Sequence, residues 1–120
     1  MKNFPRMYIV SSSQLNKGKA AAQSCHALAA YQIIHPAKFD EWCNYYLVCL
    51  RGNPKEIFDK IFNMLMDEIS KTNPDKFSLP SISQYNEPAM DNALTAVAVL
   101  ALNEKQVAVC DSLFKDLPLL

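Results

Sequence analysis

Apolar runs of strand length alternate with helical segments along this chain, and that alternation restricts it to a sheet covered by helices. Met7 to Ser12 reads as a buried strand, because Tyr8, Ile9 and Val10 favour β structure and Ser11-Ser12-Ser13 ends it. Residues 18–34 are rich in alanine, the best helix former, and stop before Pro36. Ala37 to Asn44, carrying Trp42, reads as a short second helix. Tyr45 to Leu50 is continuously apolar, which predicts a central strand covered on both faces.

Arg51-Gly52-Asn53 then turns the chain, with Asn53 as cap and Pro54 at the first position of a helix running to Ser70. Its apolar face is Ile57, Ile61, Leu65 and Ile69, joined by Phe58, Phe62 and Met66. After a polar loop over 71–76, Phe77 to Ser83 is a third strand that Pro80 makes irregular or an edge. A loop from Gln84 to Asn92 precedes the clearest strand, Leu94 to Leu102, and a final helix runs from Glu104 to Phe114. The order βααβαββα, without linker or repeat, predicts one domain over 1–120. It is an α/β fold: a three-layer α/β/α sandwich around a mixed, largely parallel four-stranded sheet. Ligands on such sheets collect at strand carboxyl ends, here the Ser12–Gly18 and Arg51–Pro54 turns and the Gln84–Asn92 loop.

Composition narrows the classes further. Half of the 120 residues are apolar and a fifth charged, and no apolar run approaches the ~20 residues of a membrane span. The stretch before Met7 is too short for the apolar core of a signal peptide, which predicts a cytoplasmic protein. Cys25, Cys43, Cys49 and Cys110 include no Cys-x-x-Cys pair, and their spacing with His26 and His35 fits no zinc pattern. Cys25 and Cys49, among apolar neighbours, read as small buried side chains. The net charge is zero, yet Lys2, Arg6, Lys17, Lys19 and Lys38 fall in residues 1–39, where there is no acid. All twelve acids lie in residues 40–120 against seven bases, so the asymmetry predicts a basic face able to meet phosphate.

The chemistry gathers at the first helix. At ~100° per residue, Lys19, Gln23 and His26 fall within a sector of about 60°, a polar stripe on a helix of small residues. Leu28 and Ile33 are its larger core candidates. A helix N-terminus carries free N–H groups and partial positive charge, and Lys17 and Lys19 beside Gly18 add to it. The glycine spacing of a Walker P-loop is absent.

Lys17-Gly18-Lys19-Ala20-Ala21-Ala22-Gln23-Ser24-Cys25-His26-Ala27, directly after a strand, resembles the leading motif of the type 2 peptidyl-tRNA hydrolases. The similarity continues through Phe39-Asp40-Glu41-Trp42, the Tyr46–Leu50 strand and the Pro54–Ile69 helix. It implies hydrolysis of the ester between a peptide and the 3′ ribose of tRNA, with tRNA as partner and with no metal or organic cofactor. By the same resemblance Lys19 supplies positive charge to the oxyanion or terminal phosphate, and Gln23 orients the water or carbonyl. Thr95 faces the same cleft, and His26 buttresses it from one turn deeper. Lys17, Gly18, His26, Tyr85 and Arg51 are the expected substrate-binding residues.

One family residue is missing. Where an aspartate is expected after the third strand, this chain has Ser83 or Gln84, depending on a one-residue gap, and Tyr85 replaces a small residue. Asp91 is the substitute acid expected from the loop, with Glu87 as alternative, and Tyr85 either narrows the cleft or receives a stacked base. The tail Leu117-Pro118-Leu119-Leu120 is similar to that of a divergent bacterial branch of unassigned function. Two further readings therefore stand beside the hydrolase: a catalytically silent tRNA-binding module, and a hydrolase of another small ester or amide. Apolar residues of the C-terminal segment are the expected contact of a homodimer.

Overall fold

The structure, a computed structural model, describes residues 4–75 and 77–120. Lys2, counted above in the basic segment, and Lys76, in the polar loop, lie outside the described residues. Four strands, β1 (Arg6–Ser12), β2 (Tyr46–Gly52), β3 (Ser81–Glu87) and β4 (Ala93–Ala101), form one sheet in the order β2-β1-β4-β3. Helices α1 (Lys17–Ile34) and α2 (Pro36–Trp42) cover one face, and α3 (Pro54–Ile69) and α4 (Glu104–Phe114) the other.

The layers follow from alternation along the strands. Met7 and Ile9 of β1, with Ala96, Ala98 and Leu100 of β4, point toward Ala27, Tyr31 and Trp42. Tyr8 and Val10, with Val97, Val99 and Ala101, point toward Ile57, Ile61, Val107, Cys110 and Phe114. Alanines on both sides of the first interface let α1 lie close against the sheet. Its inward face is Ala20, Gln23, Ser24, Ala27 and Tyr31. The expected core residue Ile33 is instead 81% exposed. It stands about 200° around the helix from Tyr31, which takes the core position.

The sheet is mixed, but only β1 and β2 run parallel; β1/β4 and β3/β4 are antiparallel. Alternating helices predict parallel order, yet no α-helix intervenes between β3 and β4. The expected central strand β2 is an edge, with Leu47 46% exposed. Its apolar run is explained by the chain terminus, which pairs with it through Leu50 and Leu119, Leu120 N to Cys49 O at 3.0 Å and Arg51 N to Pro118 O at 3.0 Å. The segment expected to form a dimer contact is thereby laid along β2 of its own chain, with Leu119 exposed. Cys25, expected to be buried, is exposed, and Cys49 is half-buried; both line a cavity of about 190 Å³ together with Leu120.

The third strand is also shifted. β3 begins after Pro80, and its ladder runs through the residues expected to be a loop. A single 3-10 turn, Pro88–Met90, then reverses the chain, with Asp91 and Asn92 in the left-handed region at φ 54° and 59°. Asp and Asn tolerate that conformation better than other side chains.

Burial pushes the phenols of Tyr8 and Tyr31 up from 10.0 to about 12, and the Cys110 thiol from 9.0 to about 12. Each keeps its proton in the fold at pH values where the unfolded chain has released it. Stability is therefore full below about pH 9 and falls as pH rises toward about 12. Thermal midpoints followed by circular dichroism are expected to decline continuously through that window, and a flat profile would contradict the burial of these groups.

Candidate functional site

The site is built on the turn between β1 and α1. Ser13 N donates to Gly52 O at 2.9 Å, and Leu15 N to Ser12 O at 3.2 Å. The Arg51 guanidinium reaches across from β2 and donates to Ser13 O at 3.0 Å and Leu15 O at 2.6 Å. Asn16 caps the helix, its Oδ1 accepting from Lys19 N at 2.9 Å. The same device starts α3 at Asn53 and α4 at Asn103, but those helices carry Glu56 and Glu104 in their first turns. The first turn of α1 has no acid and two lysines. Among the described residues neither Lys17 nor Lys19 forms an ion pair, and both are exposed. The helix start thus keeps its positive charge for solvent or a ligand. Gly18 is not required by the backbone: a Cβ there would stand 3.6 Å from Asn16 Oδ1, an ordinary contact.

One turn along, Gln23 turns inward. The Thr95 hydroxyl donates to Gln23 Oε1 at 2.6 Å, a buried bond between residues 72 apart in sequence. A bulge makes this bond. The register against β3 slips between Tyr85, opposite Ala96, and Asn86, opposite Leu94, so Thr95 is the extra residue of β4. Simple alternation would aim Thr95 at α3 and α4 with Val97 and Val99; the bulge swings it toward α1. With Oε1 occupied, the amide's donor end is set. Among the described residues Gln23 Nε2 has no protein partner and is not an enclosed atom, so it meets solvent.

His26 lies on the sheet side of the same helix and stacks on Tyr85 of β3, with ring centroids 4.8 Å apart and planes within 10°. The Tyr85 hydroxyl donates to Glu87 Oε2 at 2.7 Å. That carboxylate raises the Tyr85 phenol above its ordinary value by favouring the protonated donor. Further along, Tyr31 bonds Ser81 and His35 Nε2 donates to Ile82 O at 3.0 Å. A helix with hardly any large apolar side chain is therefore fastened to β3 and β4 by a polar or aromatic contact at nearly every turn.

Of the residues predicted from sequence, the structure groups Lys17, Gly18, Lys19, Gln23, His26, Thr95 and Tyr85 along the first half of α1. Arg51 adjoins them, with two of its donors spent on the loop carbonyls. Asp91 is not among them: it is exposed at the hairpin tip in a left-handed turn position. Glu87 is the carboxylate that reaches the group, through Tyr85. Its i+2 spacing from Tyr85 signals a shared face only once those residues are strand, a relation their polar sequence hides. The two places available for the missing aspartate differ. Gln84 is exposed, whereas Ser83 is 4% exposed, with a buried hydroxyl lacking a partner among the described residues. Ser83→Ala is expected to leave stability unchanged or raise it by up to about 1 kcal/mol, read from denaturant midpoints.

Among the described residues no three His, Cys, Asp or Glu side chains come together as a metal site, and no helix is long and apolar enough to cross a membrane. Compared with models of known protein families and with curated proteins, the chain matches none.

Proposed function

We propose that this protein is a cytoplasmic hydrolase of the ester joining peptide to tRNA, releasing free tRNA. The observation that carries the proposal is the buried Thr95–Gln23 hydrogen bond beside an acid-free, lysine-bearing helix start. Ester hydrolysis needs a water at the carbonyl carbon, donors for the oxyanion, and cations for the flanking phosphates. Gln23 Nε2, held by Thr95, is the fixed donor for the oxyanion. Lys19, one helical turn before Gln23, adds positive charge as the tetrahedral intermediate forms. Lys17 and the free N–H groups of the first turn take the terminal phosphate. The attacking water gives up its proton to solvent as its oxygen bonds the carbonyl carbon; when the carbon–oxygen bond to the ribose breaks, the 3′ oxygen takes a proton from solvent and leaves as the hydroxyl of free tRNA.

A second reading, a silent tRNA-binding module, is favoured by one observation. Among the described residues no carboxylate bonds to Lys19, Gln23 or Thr95. Release of free tRNA from peptidyl-tRNA, with Lys19→Ala as control, separates the two. The hydrolase predicts turnover that falls roughly a hundredfold in Lys19→Ala. Absence of turnover with tRNA binding that weakens steeply as salt rises supports the silent module. Neither turnover nor binding overturns both.

A further inference from the structure

We infer that the outer face of the His26 imidazole is a stacking platform for a nucleobase, with Tyr85 as its backing plate and Glu87 as the clamp on that plate. The inference rests on the tRNA reading above and names the part of the substrate that the sheet side of α1 takes. Tyr85 is half-buried and already covered on one face by the parallel His26 ring, so the position expected to receive a base directly is occupied. His26 itself is exposed.

The other contacts of α1 and its C-terminal cap with β3 set this pair apart. Tyr31 and His35 both end in hydrogen bonds, to Ser81 and to Ile82 O. Among the described residues His26 makes none: its ring meets Tyr85 through one face, and the residue is otherwise exposed. The 2.7 Å bond from Tyr85 to Glu87 fixes the plate beneath it, so the rings are ordered before any ligand arrives. A pre-ordered aromatic surface loses little freedom on binding, and every base offers it a π face. His26 follows Gln23 by three residues, about 4–5 Å along the helix axis. A base stacked there belongs to the nucleotide whose ribose would carry the ester facing Gln23, which is the terminal nucleotide of tRNA.

The test uses the full chain and the trinucleotide cytidine-cytidine-adenosine, the 3′ end shared by tRNAs. Titration followed by nuclear magnetic resonance is expected to move the His26 ring protons upfield together with the Lys17–Lys19 amides. His26→Ala is expected to weaken binding about tenfold, and Tyr85→Phe, which keeps the plate but frees it, about two- to threefold. Movement of the Lys17–Lys19 amides with a still His26 ring overturns the platform and leaves the phosphate role of the helix start standing. Hydrolysis of peptidyl-tRNA at the wild-type rate by a folded His26→Ala protein, with unchanged trinucleotide affinity, overturns it as well. If the trinucleotide moves no resonance and peptidyl-tRNA is not hydrolysed, the platform and the proposed function fall together.

Discussion

Gln23→Ala is expected to lower the turnover number for peptidyl-tRNA roughly a hundred- to a thousandfold, with little change in KM. The reason is the direction of the amide. Thr95 donates to Oε1, which commits Nε2 to donation at a fixed point, and a fixed donor is worth most where charge appears only in the transition state. Ground-state binding, by contrast, falls to Lys17 and the first-turn N–H groups, which the substitution leaves in place. Thr95→Val supplies the companion measurement. It keeps the shape of the side chain but removes the donor, so the amide can turn over and Oε1 loses its partner. Turnover is then expected to fall about tenfold, with a stability cost of roughly 1–2 kcal/mol. Single-turnover rates for both variants, beside their thermal midpoints, decide the matter. A folded Gln23→Ala protein hydrolysing at the wild-type rate would remove Gln23 from the chemistry.

The largest effect on stability is expected at Trp42, at the end of α2. Trp42 is 1% exposed, meets Phe39 edge-on at a centroid distance of 5.5 Å and donates from Nε1 to Tyr46 O at 2.8 Å. It thus joins α2, the left-handed turn at Cys43 and Asn44, and the start of β2. Trp42→Ala removes the ring and leaves the Tyr46 carbonyl without that donor. The expected cost is about 3–5 kcal/mol, which for a chain of this size lowers the thermal midpoint by roughly 10–20 °C. Phe62→Ala is the matched control, because Phe62 on α3 is 44% exposed. Equal losses at the two positions would show that Trp42 does not hold the layer together.

Much of the architecture was legible before the structure. The Asn53 cap, the Pro54 start and the apolar spacing of Ile57 and Ile61 are local signals, each decided within a few residues. The strands Met7–Ser12 and Leu94–Leu102 carried enough β-formers to be placed nearly as found. The misplacements share one cause. The Tyr45–Leu50 run looked central because apolar content reports burial, not what provides it, and here the chain's own terminus lies along the edge. The Ser81–Glu87 strand reads as partly loop from sequence because edge residues such as Gln84 and Asn86 are polar, and polarity mimics a loop when the pairing partner is unknown.

For the candidate site, the sequence by itself determined the cationic start of α1 and the shared sector of Lys19, Gln23 and His26, because helical spacing fixes which side chains are neighbours. Only the tertiary structure decided what those side chains meet. Thr95 faces Gln23 because a bulge in β4 reverses its side, and alternation within one strand cannot reveal an extra residue opposite another strand. Glu87 rather than Asp91 joins the group because the ladder extends two pairs beyond Tyr85, placing Glu87 beside the Tyr85 hydroxyl and sending Asp91 to the hairpin tip. Register between strands is a property of pairs of segments, settled by which faces must be buried together, and it is this that converted half a motif into a three-element cluster.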